Sequence, residues 1–148
     1  MADYEELYTT SAINTNGRNG KSYLTDGSFS VDIATPKEMG GSGKGTNPEQ
    51  LFALGYSACF NSALDLVKRQ AKIKDTALVR LTVHMYKAKT DADFKLSVDI
   101  EVGVENQSIE VAQALAEKTH HVCPYSKAVD GNIDVKLTGV TYESLADK

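Results

Sequence analysis

Four residues of this sequence are of types that could together carry thiol chemistry: Arg18, Glu49, Cys59 and Cys123. A cysteine attacks only as its thiolate, and an unperturbed thiol, with a pKa of about 8.5, is ionised to only a few per cent at neutral pH. Burial raises that pKa further, so a buried nucleophilic cysteine needs a neighbouring cation. A guanidinium suits that role, because it stays charged and can face both a carboxylate and a sulfur.

Each of these residues also has a plain structural interpretation. In this interpretation, Arg18 is a solvated residue at the tip of a hairpin, in a turn bracketed by glycines. Glu49 then only complements the dipole of a predicted helix. Cys59 lies among leucine, phenylalanine, tyrosine and alanine, where a thiol is by default an inert core residue. Composition alone favours these interpretations, so the elements that position the residues have to be considered.

A predicted helix over residues 48–70 carries Cys59. Asn47 suits the N-cap, Pro48 suits the first helical position, and Gln50 stands where a capping box requires it. The first half of this helix is apolar nearly all round, which predicts burial on most of its sides. A single domain of this size seldom covers such a helix fully, so we expect a partner subunit.

Cys123 follows a second predicted helix, which Ser108 caps and which runs over residues 109–121. This helix should stop before Cys123, because a residue that precedes a proline is pushed away from helical angles. Pro124 can instead open a short helical turn through Val129. Cys123 would then be an N-cap, where backbone N–H dipoles favour a thiolate.

Alternating apolar and polar residues predict the strands of an α+β fold. The predicted strands cover residues 7–14, 21–25, 29–33, 77–89, 94–105 and 133–137. The first three form an antiparallel start with a hairpin at Asp26-Gly27, and the next two form a second hairpin. The charged tail should be frayed. No repeat or linker divides the chain, so we predict one domain over residues 1–148.

Composition and charge argue against several classes of partner. A net charge of −4 without a basic run predicts no nucleic-acid binding. The longest apolar stretch, residues 51–64, is too short to span a bilayer, so we expect no membrane partner. The acidic start has no signal-peptide core, and the two cysteines suit a reducing compartment, so we expect a cytoplasmic location.

Sites for metals and phosphates are not predicted either. The two cysteines are too far apart for a four-ligand zinc motif, and His120 and His121 are adjacent on a predicted helix and point to different sides. The glycine-rich segment 36–46 contains neither Gly-Lys-Ser/Thr nor Gly-x-Gly-x-x-Gly and is interpreted as a flexible connector. We therefore expect no metal and no bound cofactor.

Three segments of the chain resemble those of organic hydroperoxide resistance proteins, a branch of the family that includes the osmotically inducible OsmC proteins. They are Asn16-Gly-Arg-Asn-Gly with the following Asp26-Gly, the stretch 43–60, and His121-Val-Cys-Pro-Tyr-Ser-Lys-Ala. The similarity spans nearly the whole chain, and the second and third segments together are highly specific. Two departures are minor: Asn16 stands where a second glycine is common, and Val129 where a threonine is usual.

The resemblance implies an OsmC-like fold, with antiparallel sheets, a long central buried helix and a second helix, in an intertwined homodimer. It also implies a thiol peroxidase that reduces organic and fatty-acid hydroperoxides to alcohols. Cys59 would become a sulfenic acid, and Cys123 would resolve it as an intramolecular disulfide. Arg18 and Glu49 would form the ion pair that activates the cysteine. A dihydrolipoyl dithiol on a lipoylated protein would then restore both thiols.

The spacing of Glu49 and Cys59 leaves two arrangements open. The two residues are ten positions apart, or about 15 Å along a continuous helix, so one arginine cannot easily touch both in the same chain. One solution is a break in the helix, for example near Gly55. The other is a site at a dimer interface to which two subunits contribute.

Four aromatic residues are candidates for a substrate pocket: Phe52, Tyr56, Phe60 and Tyr125. Apolar contacts of this kind would favour bulky alkyl peroxides over hydrogen peroxide, although core packing is an equally good interpretation of each residue. Two alternative functions stay open. One is an OsmC-like peroxidase with other substrates and stress roles, and the other is a ligand-binding protein on the same scaffold with inert cysteines.

Overall fold

A computed structural model of the protein describes residues 2–146. The chain divides after Leu51 into two compact units. The first unit contains a three-stranded antiparallel sheet of β1 (Ala12–Thr15), β2 (Gly20–Leu24) and β3 (Ser30–Ile33), in that order. The predicted antiparallel start is confirmed, and the single-domain assignment stays a prediction.

The first strand is shorter than predicted. Residues 7–11 lie outside β1, and Leu7 and Tyr8 are exposed. The reason is the length of the neighbouring strand: β1 pairs from Ala12 opposite Leu24, and β2 ends there because the chain turns at Gly27, whose φ of +77° suits glycine. Among the described residues of this unit, 2–51, no strand lies opposite residues 7–10, so apolar alternation alone does not make them a strand.

The glycine-rich segment after β3 is hydrogen-bonded back to that strand. The N–H of Ala34 donates to Thr46 O at 2.9 Å, and the N–H of Thr46 donates to Asp32 O at 3.0 Å, which makes a parallel bridge. A short 3-10 turn, Lys37–Met39, lies between these contacts. The segment is thus a pinned loop rather than the flexible connector that its composition predicts, and it delivers the chain to the start of the long helix.

The long helix α1 runs over Pro48–Gln70, as predicted. The remaining elements, all in the second unit, are β4 (Ala77–Lys87), β5 (Phe94–Val104), α2 (Ile109–Val122), α3 (Pro124–Val129), β6 (Asp134–Val140) and α4 (Tyr142–Ala146). The second sheet has the order β4-β5-β6. β4 and β5 are antiparallel, but β6 is parallel to β5, because α2 and α3 return the chain across the sheet. The predicted α+β fold is confirmed, and the predicted antiparallel pairing holds for β1 to β5 but not for β6.

The core of the second unit lies between this sheet, α1 and α2. Alternate residues of β5 are fully buried, and the buried face of α1 contributes Tyr56, Phe60 and Leu64. The opposite face of α1 is open, with Leu54 65% exposed. The sheet and α2 cover one face of α1, which agrees with the expectation that a single domain does not cover this helix fully, and burial of the other face by a partner subunit stays a prediction. The predicted inner face of α2 is confirmed by the burial of Ala112, Leu115 and Ala116.

The end of the chain is also more ordered than predicted. Residues 142–146 form α4, and Leu145 is buried. α4 approaches β5 closely at Gly103, where a Cβ atom would lie 2.9 Å from the Cα atom of Tyr142. The frayed tail is therefore a wrong prediction up to residue 146, and residues 147 and 148 lie outside the described chain. Among residues 2–146, the helices are all too short or too polar to cross a membrane.

Candidate active site

The start of α1 is held by Asn47 as predicted, but without the predicted capping box. The Oδ1 atom of Asn47 accepts a hydrogen bond from the N–H of Gln50 at 2.9 Å. The side chain of Gln50 accepts from the hydroxyl of Thr46 at 2.8 Å, instead of reaching back to the N-cap backbone. This cap fixes the first helical turn, in which Glu49 lies.

Arg18 and Glu49 form a bidentate ion pair within the first unit. Nη1 of Arg18 donates to Oε2 of Glu49 at 2.8 Å, and Nη2 donates to Oε1 at 2.6 Å. The side chains are 29% and 19% exposed. The hydrogen bonds from Arg18 hold the pKa of Glu49 below its usual value, and those same bonds raise the pKa of Arg18. Both groups are therefore charged at neutral pH, and the two residues predicted to pair are in contact.

The turn that carries Arg18 is built by Asn14, which the sequence analysis missed. The Oδ1 atom of Asn14 accepts from the N–H of Gly17 at 2.8 Å, and its Nδ2 donates to Oγ of Ser22 at 3.0 Å. Asn16 and Gly17 follow with φ of +62° and +58°. Asparagine tolerates the left-handed region better than most residues, so Asn16 can stand where the resemblance leads us to expect a glycine. The spacing Asn-x-x-Gly was the available signal.

The two cysteines lie side by side in the second unit. The Sγ atoms of Cys59 on α1 and Cys123 are 3.6 Å apart, and both residues are free thiols, with Cys59 half-buried and Cys123 buried. A disulfide has an S–S length of about 2.05 Å, so closing this gap needs a shift of about 1.5 Å. The pairing implied by the family resemblance is therefore within reach.

The junction between α2 and α3 positions Cys123. Cys123 is at once the C-cap of α2 and the N-cap of α3, and its ψ of 123° is extended, as expected before Pro124. The predicted N-cap position is confirmed. Its side chain makes no capping hydrogen bond, and the backbone N–H of Tyr125 donates to the sulfur of Cys59 instead.

The second unit alone does not make Cys59 acidic. Burial is the largest influence and raises the pKa of the Cys59 thiol, while the hydrogen bond from the Tyr125 N–H lowers it, and the proximity of Cys123 raises it again. The balance is a raised pKa. At neutral pH this environment favours the neutral thiol, so a nucleophilic Cys59 still needs a cation.

The four aromatic residues form one connected cluster beside the cysteines. Ring centroids lie 5.6 Å apart for Phe52–Tyr56 and Tyr56–Tyr125, and 6.4 Å apart for Phe52–Tyr125 and Tyr56–Phe60. Tyr56 and Phe60 are fully buried in the core, whereas Tyr125 is 41% exposed and Phe52 is partly buried. Only Phe52 and Tyr125 thus present surface to a substrate in this chain, and the pocket role stays a prediction.

Two further contacts join α1 to α3. The hydroxyls of Tyr56 and Ser126 lie 2.7 Å apart, and Ser126 was missed by the sequence analysis, although it stands three residues after Cys123. At Gly55, a Cβ atom would lie 3.3 Å from the Tyr125 hydroxyl, so this glycine permits a close approach. The helix is uninterrupted there, so the first of the two arrangements left open, a break near Gly55, is not found.

The histidines form no metal site in the described residues. His84 pairs with Asp99, with 3.0 Å between Nε2 and Oδ2. The rings of His120 and His121 have centroids 6.1 Å apart and interplanar angle 56°. Within residues 2–146 there is no group of three or more histidine, cysteine, aspartate or glutamate side chains that could hold a metal ion.

Comparison with known proteins identifies the family of this chain. The profile of the family described as OsmC-like protein matches residues 41–138. The chain is 52% identical over 133 residues to organic hydroperoxide resistance protein-like 2 of Staphylococcus epidermidis, which covers 88% of this chain and 94% of that protein. It is 43% identical over 138 residues to the organic hydroperoxide resistance protein OhrA of Bacillus subtilis, covering 90% and 96%.

A solved structure shows the same fold. The crystal structure of an organic hydroperoxide resistance protein from Elizabethkingia anophelis superposes with a TM-score of 0.84 at 44% identity, covering 93% of this chain and 99% of that one. The family profile, the similar sequences and the similar structure all indicate the same family. This chain belongs to the OsmC-like family, in the branch of the organic hydroperoxide resistance proteins.

Proposed function

We propose that the protein is a cysteine-based peroxidase that reduces organic hydroperoxides and so protects against oxidative stress. The observation that carries this proposal is the pair of free thiols, with Sγ atoms 3.6 Å apart, one half-buried and one buried. A nucleophilic cysteine needs access for its substrate, and a resolving cysteine needs only contact with the first. Cys59 therefore takes the first role and Cys123 the second.

The first step oxidises Cys59. Its thiolate sulfur attacks the terminal oxygen of the hydroperoxide, so that an S–O bond forms and the O–O bond breaks. The sulfur loses two electrons and the peroxide gains them. The leaving alkoxide takes a proton and departs as the alcohol, and Cys59 is left as a sulfenic acid.

The second step forms the disulfide. The thiolate of Cys123 attacks the sulfur of the Cys59 sulfenic acid, the S–O bond breaks, and hydroxide leaves and is protonated to water. An external dithiol then reduces the disulfide by exchange and becomes a disulfide itself. We propose a dihydrolipoyl group on a lipoylated protein as this dithiol, with no bound cofactor, and a cytoplasmic setting that keeps both thiols reduced.

Arg18 supplies the cation that Cys59 needs, and Glu49 orients it. The bidentate pair leaves the guanidinium charged and fixes its plane. Because α1 is unbroken between Glu49 and Cys59, we propose that Arg18 and Glu49 of one subunit serve Cys59 of another in a homodimer. The open face of α1, with Leu54 exposed, supports such a partner.

Phe52 and Tyr125 give the site its preference for organic peroxides. Both rings lie in the aromatic cluster that includes Tyr56, and both keep some exposed surface. An alkyl chain gains about 25 cal/mol for each Å² of apolar surface that it buries there, whereas hydrogen peroxide has no such surface. We therefore propose bulky alkyl and fatty-acid hydroperoxides as substrates.

A thiol count tests the proposal against a non-catalytic, ligand-binding protein. The reduced protein is mixed with one equivalent of cumene or tert-butyl hydroperoxide, and free thiols are titrated. The peroxidase loses both thiols and yields one alcohol per chain, and retention of both thiols would sink the proposal. Steady-state turnover with dihydrolipoamide, thioredoxin or glutathione then identifies the reductant, and comparison of several peroxides separates this enzyme from an OsmC-like peroxidase with other substrates.

A further inference from the structure

A buried hydrogen bond joins the two helices next to the cysteines. The hydroxyl oxygens of Tyr56 on α1 and Ser126 on α3 lie 2.7 Å apart, and both residues are fully buried. Separating such a pair leaves two polar groups without partners and away from water, which is costly. The bond therefore resists any displacement of α3 relative to α1.

This bond is in register with the cysteine pair. Tyr56 precedes Cys59 by three residues on α1, and Ser126 follows Cys123 by three residues on α3. Residues three apart lie on the same side of a helix, so each hydroxyl is about one turn from the neighbouring thiol. The hydroxyl pair and the thiol pair are thus adjacent contacts between two antiparallel chain segments. The hydroxyl pair therefore limits the distance between the two Sγ atoms.

Tyr125 makes further contacts between α3 and α1 around this hydrogen bond. The ring of Tyr125 lies 5.6 Å from that of Tyr56, and its hydroxyl lies against Gly55, where any Cβ atom would be 3.3 Å away. The N–H of Tyr125 also donates to Cys59. Tyr125 therefore packs α3 against α1, but its ring is 41% exposed. The contact between Tyr56 and Ser126, in contrast, is fully buried.

We propose that Tyr56 and Ser126 are positioning residues that hold Cys123 within reach of oxidised Cys59. The inference rests on the proposed function and adds the step at which these residues act. Disulfide formation needs the Sγ atoms to close from 3.6 Å to about 2.05 Å. With the hydroxyls bonded, α3 stays against α1 and only the junction at Cys123 has to adjust.

The step that this contact favours competes with damage. An unresolved Cys59 sulfenic acid can reduce a second hydroperoxide, whereby the sulfur loses two more electrons, gains a second oxygen as sulfinic acid and releases a second alcohol. Resolution by Cys123 instead forms the S–S bond and releases water. The rate of resolution depends on how often the thiolate of Cys123 is held in attacking geometry. The Tyr56–Ser126 bond thereby protects Cys59 from irreversible oxidation.

The test separates the two steps. Tyr56→Phe, Ser126→Ala and the double variant are reduced and mixed with cumene hydroperoxide, and sulfenic acid and disulfide are followed by quenched-flow mass spectrometry. We expect disulfide formation about five- to tenfold slower in each variant, since a hydrogen bond contributes about 1 kcal/mol. In Ser126→Ala the rate of sulfenic acid formation should be unchanged. The double variant should be no slower than the slower single variant, because both single changes remove one interaction. Sulfinic acid at Cys59 should increase accordingly.

A second tyrosine–serine pair serves as the matched control. Ser97 donates to the hydroxyl of Tyr86 at 3.2 Å on the exposed surface of β4 and β5. Tyr86→Phe and Ser97→Ala should leave the rate of disulfide formation as in the wild type. Disulfide formation at the wild-type rate in Tyr56→Phe and Ser126→Ala would overturn the inference, as would a defect in Tyr56→Phe that Ser126→Ala does not share.

An equilibrium measurement keeps this inference distinct from the proposed function. The reduction potential of the Cys59–Cys123 pair is measured in glutathione buffers, without peroxide. If the wild-type protein consumed no peroxide, the proposed function would be wrong, but this measurement would still test the inference. A tenfold loss of thiol proximity corresponds to about 30 mV, and we expect the potential of both variants to be less negative by about this amount. Ser126→Thr, which keeps a hydroxyl, should restore the wild-type potential. An unchanged potential in folded Ser126→Ala would overturn the inference.

Discussion

The guanidinium of Arg18 grips both carboxylate oxygens of Glu49, with Nη1–Oε2 and Nη2–Oε1 distances of 2.8 and 2.6 Å. The pair joins a 3-10 turn, Gly17–Asn19, to the first turn of a capped helix. Both side chains are mostly withdrawn from water. A fixed, partly desolvated cation of this kind is what a cysteine with a raised pKa needs in order to ionise.

Removal of the cation should silence the nucleophile. In Arg18→Ala we expect a higher pKa for Cys59 and slower oxidation by cumene hydroperoxide at pH 7, by about tenfold for each unit of pKa. Thiolate absorbance at 240 nm against pH gives the pKa. Arg80→Ala is the matched control, because Arg80 makes an equally short bidentate pair with Glu101 on the second sheet. An unchanged thiolate titration in Arg18→Ala would remove Arg18 from the mechanism.

Glu49 should make stability depend on pH in the acid range. Its pKa is lowered in the folded protein, mainly by hydrogen bonds from Arg18, so its stabilising effect is fully present above its unfolded value of about 4.3. That effect is lost as the pH falls through the lower, folded pKa. Urea unfolding of wild type and Glu49→Gln should therefore show the largest difference at neutral pH and a shrinking difference below about pH 4. A difference independent of pH would contradict this.

The two cysteines should be separable by substitution. Cys59→Ser is expected to abolish peroxide consumption, because Cys123 is buried and has no access to the substrate. Cys123→Ser should still consume one equivalent and hold a sulfenic acid that dimedone traps, detected by mass. Turnover by Cys59→Ser would show that the two roles are reversed.

At Gly139, where β6 packs against α2, we expect any side chain to destabilise the protein. A Cβ atom there would lie 2.5 Å from both Gln113 N and Ile109 O, which are backbone atoms that cannot move aside. We expect Gly139→Ala to lower the free energy of unfolding by about 3 kcal/mol, measured with urea. Gly131→Ala is the control, since that site has φ of +74° but open space, and it should cost only about 1 kcal/mol. Equal losses in the two variants would contradict a steric cause.

Helices and strands whose formation depends on residues close to them in the sequence were predicted well. The helix at Pro48–Gln70 and the hairpin of β4 and β5 match their predicted positions within a few residues, because caps, turns and apolar periodicity act over short distances. The parallel direction of β6 and the order of α4 were missed. Each of these depends on what lies opposite the element in space, and no local pattern encodes that.

The same division holds for the site. The sequence alone supplied the chemical groups, namely two thiols, a guanidinium in a glycine-bracketed turn and a carboxylate behind an N-cap, and the motifs around them sufficed to recognise the family. Only the tertiary structure decided that the Sγ atoms lie 3.6 Å apart and that Ser126 meets Tyr56. The partners in both contacts are more than 60 residues apart in the chain, so their distance is set by the packing of α1 against the junction of α2 and α3.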